Sequence, residues 1–580
     1  MMMKNIKILF ILLIATLFGC SDDLLNKEPL SDVTEDNFFT KASDLQLYTN
    51  GFYRMLPSIS IYNGDNRAGN ILETTLSEEM RSARTIPTTG GGWDWGYLRD
   101  INYFLENYQK GDDAAAIAHY GGVARFFRAY FYFDKLKRFG AVPYYDYTID
   151  PDDEESLQKP RDSRQFIVDK ILEDLDIAIE DLNEEQQTYA VTKYTALALK
   201  SRVGLYEGTY EKYRGISDYE TYLQASIDAS EELMNNSPYG VYTSGNPNTD
   251  YLNLFNEHDV NGAEVIMSRE FTRDIDVTHN VNYYTTTSSY GRPGMPKDLV
   301  NTYLNADGTR FTDQPNYNQI FFTEEVANRD PRLSQTIRTP GYTRKGQTQE
   351  LPPNLGATVT GYQIIKYVTE PQYDTNEQSI TDLPIFRFGE ILLNFAEAKA
   401  ELGTATQADI DNSINLLRDR VAMPHLSITE VNNDPDPYMQ DQYPQVNGSN
   451  NGLILEIRRE RRIELYMENF FWDDIVRWEA GQFITRPLRG LYVPGPGEYD
   501  FDGDGDTDVV FYEGDAPGNQ VEGIQYLRLG SDVYLSANNL IDPQPNFNNR
   551  SFDENRDYLY PIPRIELQLN PNLEQNPGWE

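Results

Sequence analysis

YLYPIPRIELQLNPNLEQNPGW, residues 558–579, lies at the C-terminal end of the sequence. Chain ends are usually polar and frayed. This one is dense in Pro, Leu and Tyr, so it reads as a segment docked on the body of the protein. Pro561 and Pro563 bracket Ile562 and force an extended approach, because proline fixes φ and biases its predecessor away from helix. Arg564 to Leu569 then reads as about one helical turn, stopped by Asn570-Pro571, with Asn576-Pro577 as a second turn. The physical reading is a packed C-terminal clasp.

A clasp needs a scaffold, and the sequence N-terminal to it supplies helices. Ile391 to Leu402 is capped by Gly403, Asp411 to Val421 is stopped by Pro424, and Leu453 to Met467 and Phe471 to Trp478 form a further pair. In the first half, Ser43 and Gln46 form a capping box before the stripe Leu45, Tyr48, Phe52 and Met55. Tyr97, Ile101, Leu105 and Tyr108 make a second stripe. Val123 to Phe133 make a third, closed by Gly140 and Pro143. Ser163 precedes Ile167, Ile171, Leu175, Ala178 and Leu182, and Tyr194 to Tyr206 and Tyr222 to Leu233 follow. Consecutive aromatic-faced helices joined by short polar turns predict a mainly α, tetratricopeptide-like helical-repeat scaffold. Between 241 and 383 the pattern loosens into an irregular, loop-rich lobe with short β segments, Glu264 to Met267 and Ile364 to Tyr367. Long irregular stretches in a compact protein are usually functional surfaces.

Bulk properties narrow the function. At 580 residues the chain exceeds what one core usually serves, so two lobes or an extended helical array are expected. A formal charge of -41 argues against nucleic acid, whose affinity rests on Lys and Arg. His119, His258, His279 and His425 are too scattered for a helix-borne zinc site. The single cysteine supports neither a disulfide framework nor a thiolate cluster. Residues 1–19 carry Lys4 and Lys7 ahead of an apolar run, Ile8 to Leu17, that suits a signal peptide and is too short to span a bilayer. Leu17-Phe18-Gly19-Cys20 reads as a lipobox with Cys20 acylated, although Phe18 departs from the small or β-branched residue usual there. Several acyl chains would hold such a protein firmly to a membrane.

The clasp resembles the closing motif of the SusD-like (RagB/SusD) nutrient-uptake lipoproteins. PIP-x-x-E followed by NP-x-L-x-QNPG carries the resemblance. Arg125-x-x-Arg128-Ala129-Tyr130 with Phe139-Gly140-x-Val142-Pro143 adds to it, as do RFGEILLNFAEAKAELG from Arg387, INLLRDRVAMP from Ile414 and ERRIELYMENFFWDDIVRW from Glu460. Asn469, Phe470, Phe471 and Asp473 differ from the usual residues of that last block, which resembles scaffold. The resemblance implies a helical domain over 20–240 and a RagB/SusD domain over 241–580, the latter loop-rich to 383, helical over 384–480 and clasp-forming from 481. Ser21-Asp22-Asp23 resembles the family's acidic surface-export signal and implies the outer leaflet of the outer membrane. It further implies a non-catalytic lipoprotein that captures oligosaccharide and passes it to a SusC-like TonB-dependent transporter. Peptide cargo, a surface glycoside hydrolase and a plain helical-repeat adaptor are the alternatives.

Two loops carry candidate ligand-binding aromatics. Gly90-Gly91-Gly92-Trp93-Asp94-Trp95 puts Trp93 and Trp95 beside a glycine hinge, where they are either pinned under the loop or exposed for binding. Asn282 to Gly291 carries Tyr283, Tyr284 and Tyr290 among Ser and Thr hydroxyls, either as a binding cluster or as a buried tyrosine corner. Asp500, Asp502, Asp504, Asp506 and Asp508 alternate with a glycine at the sixth position, like the front of an EF-hand loop. Phe511 stands where the bidentate glutamate would be. The loop is read as either a structural calcium site or a solvated acidic turn; no other cofactor is expected, and no motif selects a catalytic carboxylate pair.

Overall fold

The computed structural model describes residues 38–216 and 218–580. The expected signal peptide and lipobox, with Cys20, lie outside the described residues. Among those described, no helix is long and apolar enough to cross a membrane.

The N-terminal half is a helical array: α1 (Ala42–Asn50), α2 (Gly96–Asn107), α3 (Ala114–Phe139), α4 (Arg164–Asp181), α5 (Lys193–Tyr213) and α6 (Tyr219–Asn236). Side-chain caps set the starts of α3 and α4, as the spacing predicts for α4, where Ser163 accepts from Phe166 N at 3.2 Å. Asp113 does the same for α3, accepting from Ala115 N at 2.9 Å. Helix α1 differs from expectation: it begins at Ala42 with Asp44 accepting from Lys41 N, which leaves Ser43 inside the helix. The face of α2 is also shifted. Leu98, Ile101 and Phe104 point inward, while Tyr97 is 38% exposed. Asn102 explains the shift, because its buried amide donates to Tyr145 O and Tyr147 O at 3.1 and 3.0 Å and fixes the helix's rotation.

Neighbours in sequence pack as hairpins, α3 on α4, α4 on α5 and α5 on α6. The last pair is tight because Gly204 and Gly208 face α6. A Cβ at Gly204 would lie 2.6 Å from Tyr222 O, and the close approach lets Ser201 and Ser230 hydroxyls bond at 2.8 Å.

The C-terminal half adds α7 (Phe388–Glu401), α8 (Ile414–Arg420), α9 (Asn451–Glu464), α10 (Phe471–Arg477) and the clasp helix α11 (Arg564–Leu569). Helix α7 packs on both α5 and α6, so the helical layer draws on both halves. The stretch 411–421 is not one helix: Ser413 breaks it, leaving a short turn of helix before α8. Strands β1 (Val265–Arg269) and β2 (Leu383–Arg387) pair antiparallel with an irregular register. Ile364 to Tyr367 is not a strand but an isolated bridge, since Tyr367 at φ 67° cannot continue an extended chain. A small sheet of β3 (Gly497–Tyr499), β4 (Val509–Tyr512) and β5 (Gln525–Arg528) follows, unannounced by any long alternating run.

The C-terminal half is built around a buried ionic core. Glu464 at the end of α9 accepts from Arg420 at 2.6 and 2.7 Å, from Arg387 at 2.9 Å and from Arg332 at 3.3 Å. Glu468 accepts from Arg387 and Lys366, each at 2.7 Å. Arg420, Arg387 and Arg332 hold the Glu464 carboxyl far below the usual range despite its burial. The turn after α9 is held from the N-terminal half, where Asp65 accepts from Met467 N at 2.8 Å and Phe471 N at 3.2 Å.

Candidate functional site

The clasp docks as its composition predicts, and what it docks on is the glycine loop. Pro563 seats against Gly91, and the backbone N–H groups of Arg564 and Ile565 donate to Pro87 O and Thr88 O at 2.9 and 3.1 Å. Asn576 Nδ2 ties the far end down, donating to Tyr560 O at 2.7 Å and Phe139 O at 3.1 Å. Gly90, Gly91 and Gly92 sit at φ of 74°, 58° and 87°, a left-handed succession that L side chains resist. Their carbonyls are then grasped by α3: Arg138 Nε donates to Gly91 O at 2.7 Å and Lys135 Nζ to Gly92 O at 2.6 Å. The loop is pinned rather than hinged.

Past the glycines a short irregular segment leads into α2, with Trp95 at φ -117° and ψ 4°, and its side chains divide between two sides. Trp93 and Trp95 face one cavity, while Gly92, Asp94 and Tyr97 face another. Each encloses about 730 Å³, within the range of small-molecule sites.

The tryptophan cavity has an aromatic wall. Trp93 is 7% exposed, held edge-to-face by Trp95 at 5.4 Å and Phe139 at 4.9 Å, so it is the pinned member. Trp95 is half-buried and meets Tyr145 edge-on at 6.0 Å, and Tyr147 continues the wall outward. Burial pushes the Tyr145 hydroxyl up to about 12, so it stays a neutral donor. Arg99, Glu154 and Gln158 provide polar edges, and the clasp adds Glu566, Leu569, Asn570 and Leu573. Arg99, Glu154 and Glu566 form no ion pair among the described residues, and burial raises the Glu566 carboxyl. Rings flanked by amide, carboxylate and guanidinium groups suit a ligand with apolar faces and a hydroxylated rim.

The tyrosine loop lies elsewhere. Tyr283 and Tyr290 stack at 5.5 Å and 15°, with Tyr290 40% exposed, and form a surface shelf. Tyr284 does not join it: at 2% exposure it packs beneath Tyr290 and donates its hydroxyl to Glu73. Its ring supports the shelf from below and offers no open face.

The acidic loop lies between β3 and β4. Asp500, Asp502 and Asp504 bring one carboxylate oxygen each within 4.8 Å of one another. Asp506 and Asp508 fall outside that group. Asp508 turns to the backbone, accepting from Phe501 N at 2.7 Å and Asp502 N at 3.2 Å. Burial, with the charges of its neighbours adding, raises the Asp502 carboxyl.

Sequence reasoning passed over Tyr145, Tyr147 and the clasp's own contribution. The run Tyr144-Tyr145-Asp146-Tyr147 after Pro143 is an aromatic signal that helical periodicity cannot absorb. Asn469, Phe470 and Asp473, read as scaffold, line the second cavity.

Comparison with known proteins settles the family. The SusD family model matches residues 263–579. The chain belongs to the SusD family. A second model, described as starch-binding associating with outer membrane, matches residues 36–215. A SusD-like protein of Formosa agariphila is 25% identical over 608 residues, covering 100% of both chains. A second from the same organism is 24% identical over 520 residues, 84% of this chain and 94% of the relative. Among solved structures, a SusD-like protein from Bacteroides fragilis superposes with a TM-score of 0.68 at 22% identity, over 95% of this chain and 100% of the other. A SusD-like carbohydrate binding protein from the same species gives 0.69 at 21% identity, over 93% and 100%. These likenesses establish the SusD fold, mainly α with tetratricopeptide-like helical pairs.

Proposed function

We propose that this SusD-family chain is a non-catalytic, lipid-anchored, surface-exposed protein of the outer membrane. It captures an oligosaccharide and delivers it to a SusC-like TonB-dependent transporter. The observation that carries the reading is the tryptophan cavity, whose aromatic wall and unpaired polar rim match the two kinds of surface a sugar presents. If each stacked pyranose hides on the order of 50 Å² of apolar surface, it contributes about 1 kcal/mol. Two or three such contacts give affinities from about millimolar to micromolar. Capture of that strength suits a protein that must release its cargo. The names of the family models and of the carbohydrate-binding relative support the same reading, and the lipobox at Cys20 supports the anchor.

Structural calcium belongs to the proposal: Asp500, Asp502 and Asp504 are hard oxygen donors gathered at one turn, with the remaining coordination left to backbone oxygens and water.

The test is calorimetric titration of the purified full chain with a panel of oligosaccharides and peptides, followed by product analysis. Binding of sugars without their cleavage is the expected result. Binding of peptides alone would make the chain a peptide-binding lid. Cleavage of a bound glycan would make it a hydrolase and direct attention to Glu154 and Glu566, the two carboxylates on the cavity wall.

A further inference from the structure

The cavity on the other side of the 92–97 segment has a different character. Six cationic side chains line it, Arg54, Arg67, Lys135, Lys137, Arg138 and Arg202, in a chain of net charge -41. Two of them are neutralised: Lys137 by Asp473 at 2.6 Å and Arg202 by Glu390 at 2.6 and 2.7 Å. The wall carboxylate of Glu468 is already taken by Arg387 and Lys366. Arg54, Arg67, Lys135 and Arg138 have no carboxylate within ion-pair distance among the described residues. Against these four stand Asp94 and Asp134, both exposed, and the charges of Asp473 and Glu79, which act on Arg67.

The unpaired cations are held in place and retain donors. Arg67 donates Nη2 to Asn469 Oδ1 at 2.9 Å and Nε to Gly64 O at 3.4 Å. Arg138 lies over the Tyr560 ring at 3.9 Å with only Nε engaged, on Gly91 O. Lys135, also bonded to the loop, sits 4.7 Å over Phe131, and burial lowers its affinity for its proton against the opposing charges of Asp134 and Asp94. Like charges gathered in a partly enclosed space repel unless an anion joins them. Guanidinium forks match planar or tetrahedral oxyanions bidentately. Tyr97 and half-buried Phe470 add ring surface to the same cavity, which fits an anion borne on a sugar ring better than a bare ion.

We infer that this basic cavity is a second glycan site that receives the carboxylate or sulfate groups of an acidic oligosaccharide, through Arg54, Arg67, Lys135 and Arg138. This rests on the reading of the chain as a glycan-binding protein. It assigns the cargo to acidic glycans, which the tryptophan cavity alone does not.

The test titrates the full chain with trigalacturonate and its fully methyl-esterified form, and with a chondroitin sulfate tetrasaccharide and its desulfated form. Neutral oligosaccharides and inorganic sulfate run alongside. At least one charged probe is expected to bind tenfold or more tighter than its charge-stripped partner, with affinity falling as sodium chloride rises. Arg138→Gln should erase that preference. Because Arg138 also supports the glycine loop, Arg54→Gln, at the exposed rim, is the second variant and should weaken the charged probe severalfold while leaving neutral sugars unchanged. Charged and stripped probes binding alike, or neutral sugars binding while no charged probe does, would overturn the inference and leave the capture reading standing. Binding of inorganic sulfate as tight as the sulfated sugar would reduce the cavity to an anion site and overturn it too. Silence from every sugar would overturn both.

Discussion

Glu464→Gln keeps the shape of the side chain and removes one negative charge from the point where Arg420, Arg387 and Arg332 converge. Arg387 retains Glu264 and Glu468, and Arg332 retains Asp330 and Glu460. Arg420 loses its bidentate partner and is left with Glu264 at 3.4 Å, fully buried. Breaking a buried ion pair costs about 3–5 kcal/mol because the surviving charge is stranded. That is a large share of the roughly 5–15 kcal/mol by which folded proteins are stable. The loss should appear in urea unfolding followed by tryptophan fluorescence, as a lower midpoint. Adding Arg420→Met restores charge balance, and replacing both members of a buried pair is far milder than removing one. The double variant is therefore expected to be more stable than Glu464→Gln by at least about 1 kcal/mol. A single variant within about 1 kcal/mol of the parent, or a double variant no better than the single, would refute the argument that this network is balanced charge for charge.

Acid should act on the same core. Arg477 and its neighbours hold Glu397 down to about 2, below its usual 4.5. Its stabilisation is therefore complete above the unfolded value and lost as the pH falls through the folded one. Asp65 and Asp382 work in the opposite sense: burial lifts each from 3.8 to about 6, so stability declines as the pH rises through that window. Melting temperature should therefore rise modestly as the pH is lowered from about 6 to 4 and fall steeply below about pH 4; a steady decline beginning at pH 6 would contradict it. Asn576→Ala leaves Phe139 O and Tyr560 O without their buried donor, at a cost of about 1–3 kcal/mol, and should speed proteolysis of the clasp; unchanged unfolding would show the clasp is held elsewhere. Calcium at one hundred times its dissociation constant should stabilise the chain by about 2.7 kcal/mol, an effect absent in Asp502→Asn; equal melting in calcium and chelator would leave a solvated acidic turn.

The helical array was legible because its signals are local. Ser163 and the Ile167, Ile171, Leu175 stripe announce α4 without reference to anything distant. The docked clasp was legible too, since proline and Asn-Pro turns act on their own backbone. What the sequence did not yield depends on contacts between remote segments. Tyr97 belongs to a periodic stripe, yet the amide of Asn102, bonded to Tyr145 O and Tyr147 O, turns that stripe away from it. The glycines read as a hinge because glycine is permissive; Lys135 and Arg138, forty-odd residues on, make the loop rigid. Three aspartates converge where alternation suggested five, because Asp508 is claimed by the N–H groups of Phe501 and Asp502. The cation-rich cavity was hidden for the same reason, since its residues come from both halves of a strongly acidic chain.

The central claim is that the tryptophan cavity holds the captured sugar. Its most direct test is calorimetric titration of the full chain, and of Trp95→Ala and Tyr147→Ala variants that melt like the parent, with the tightest oligosaccharide found. Loss of tenfold or more in affinity with either variant, about 1.4 kcal/mol, is the predicted result. Undiminished binding in both, with loss instead on Tyr290→Ala, would move the site to the Tyr283 and Tyr290 shelf and contradict the account.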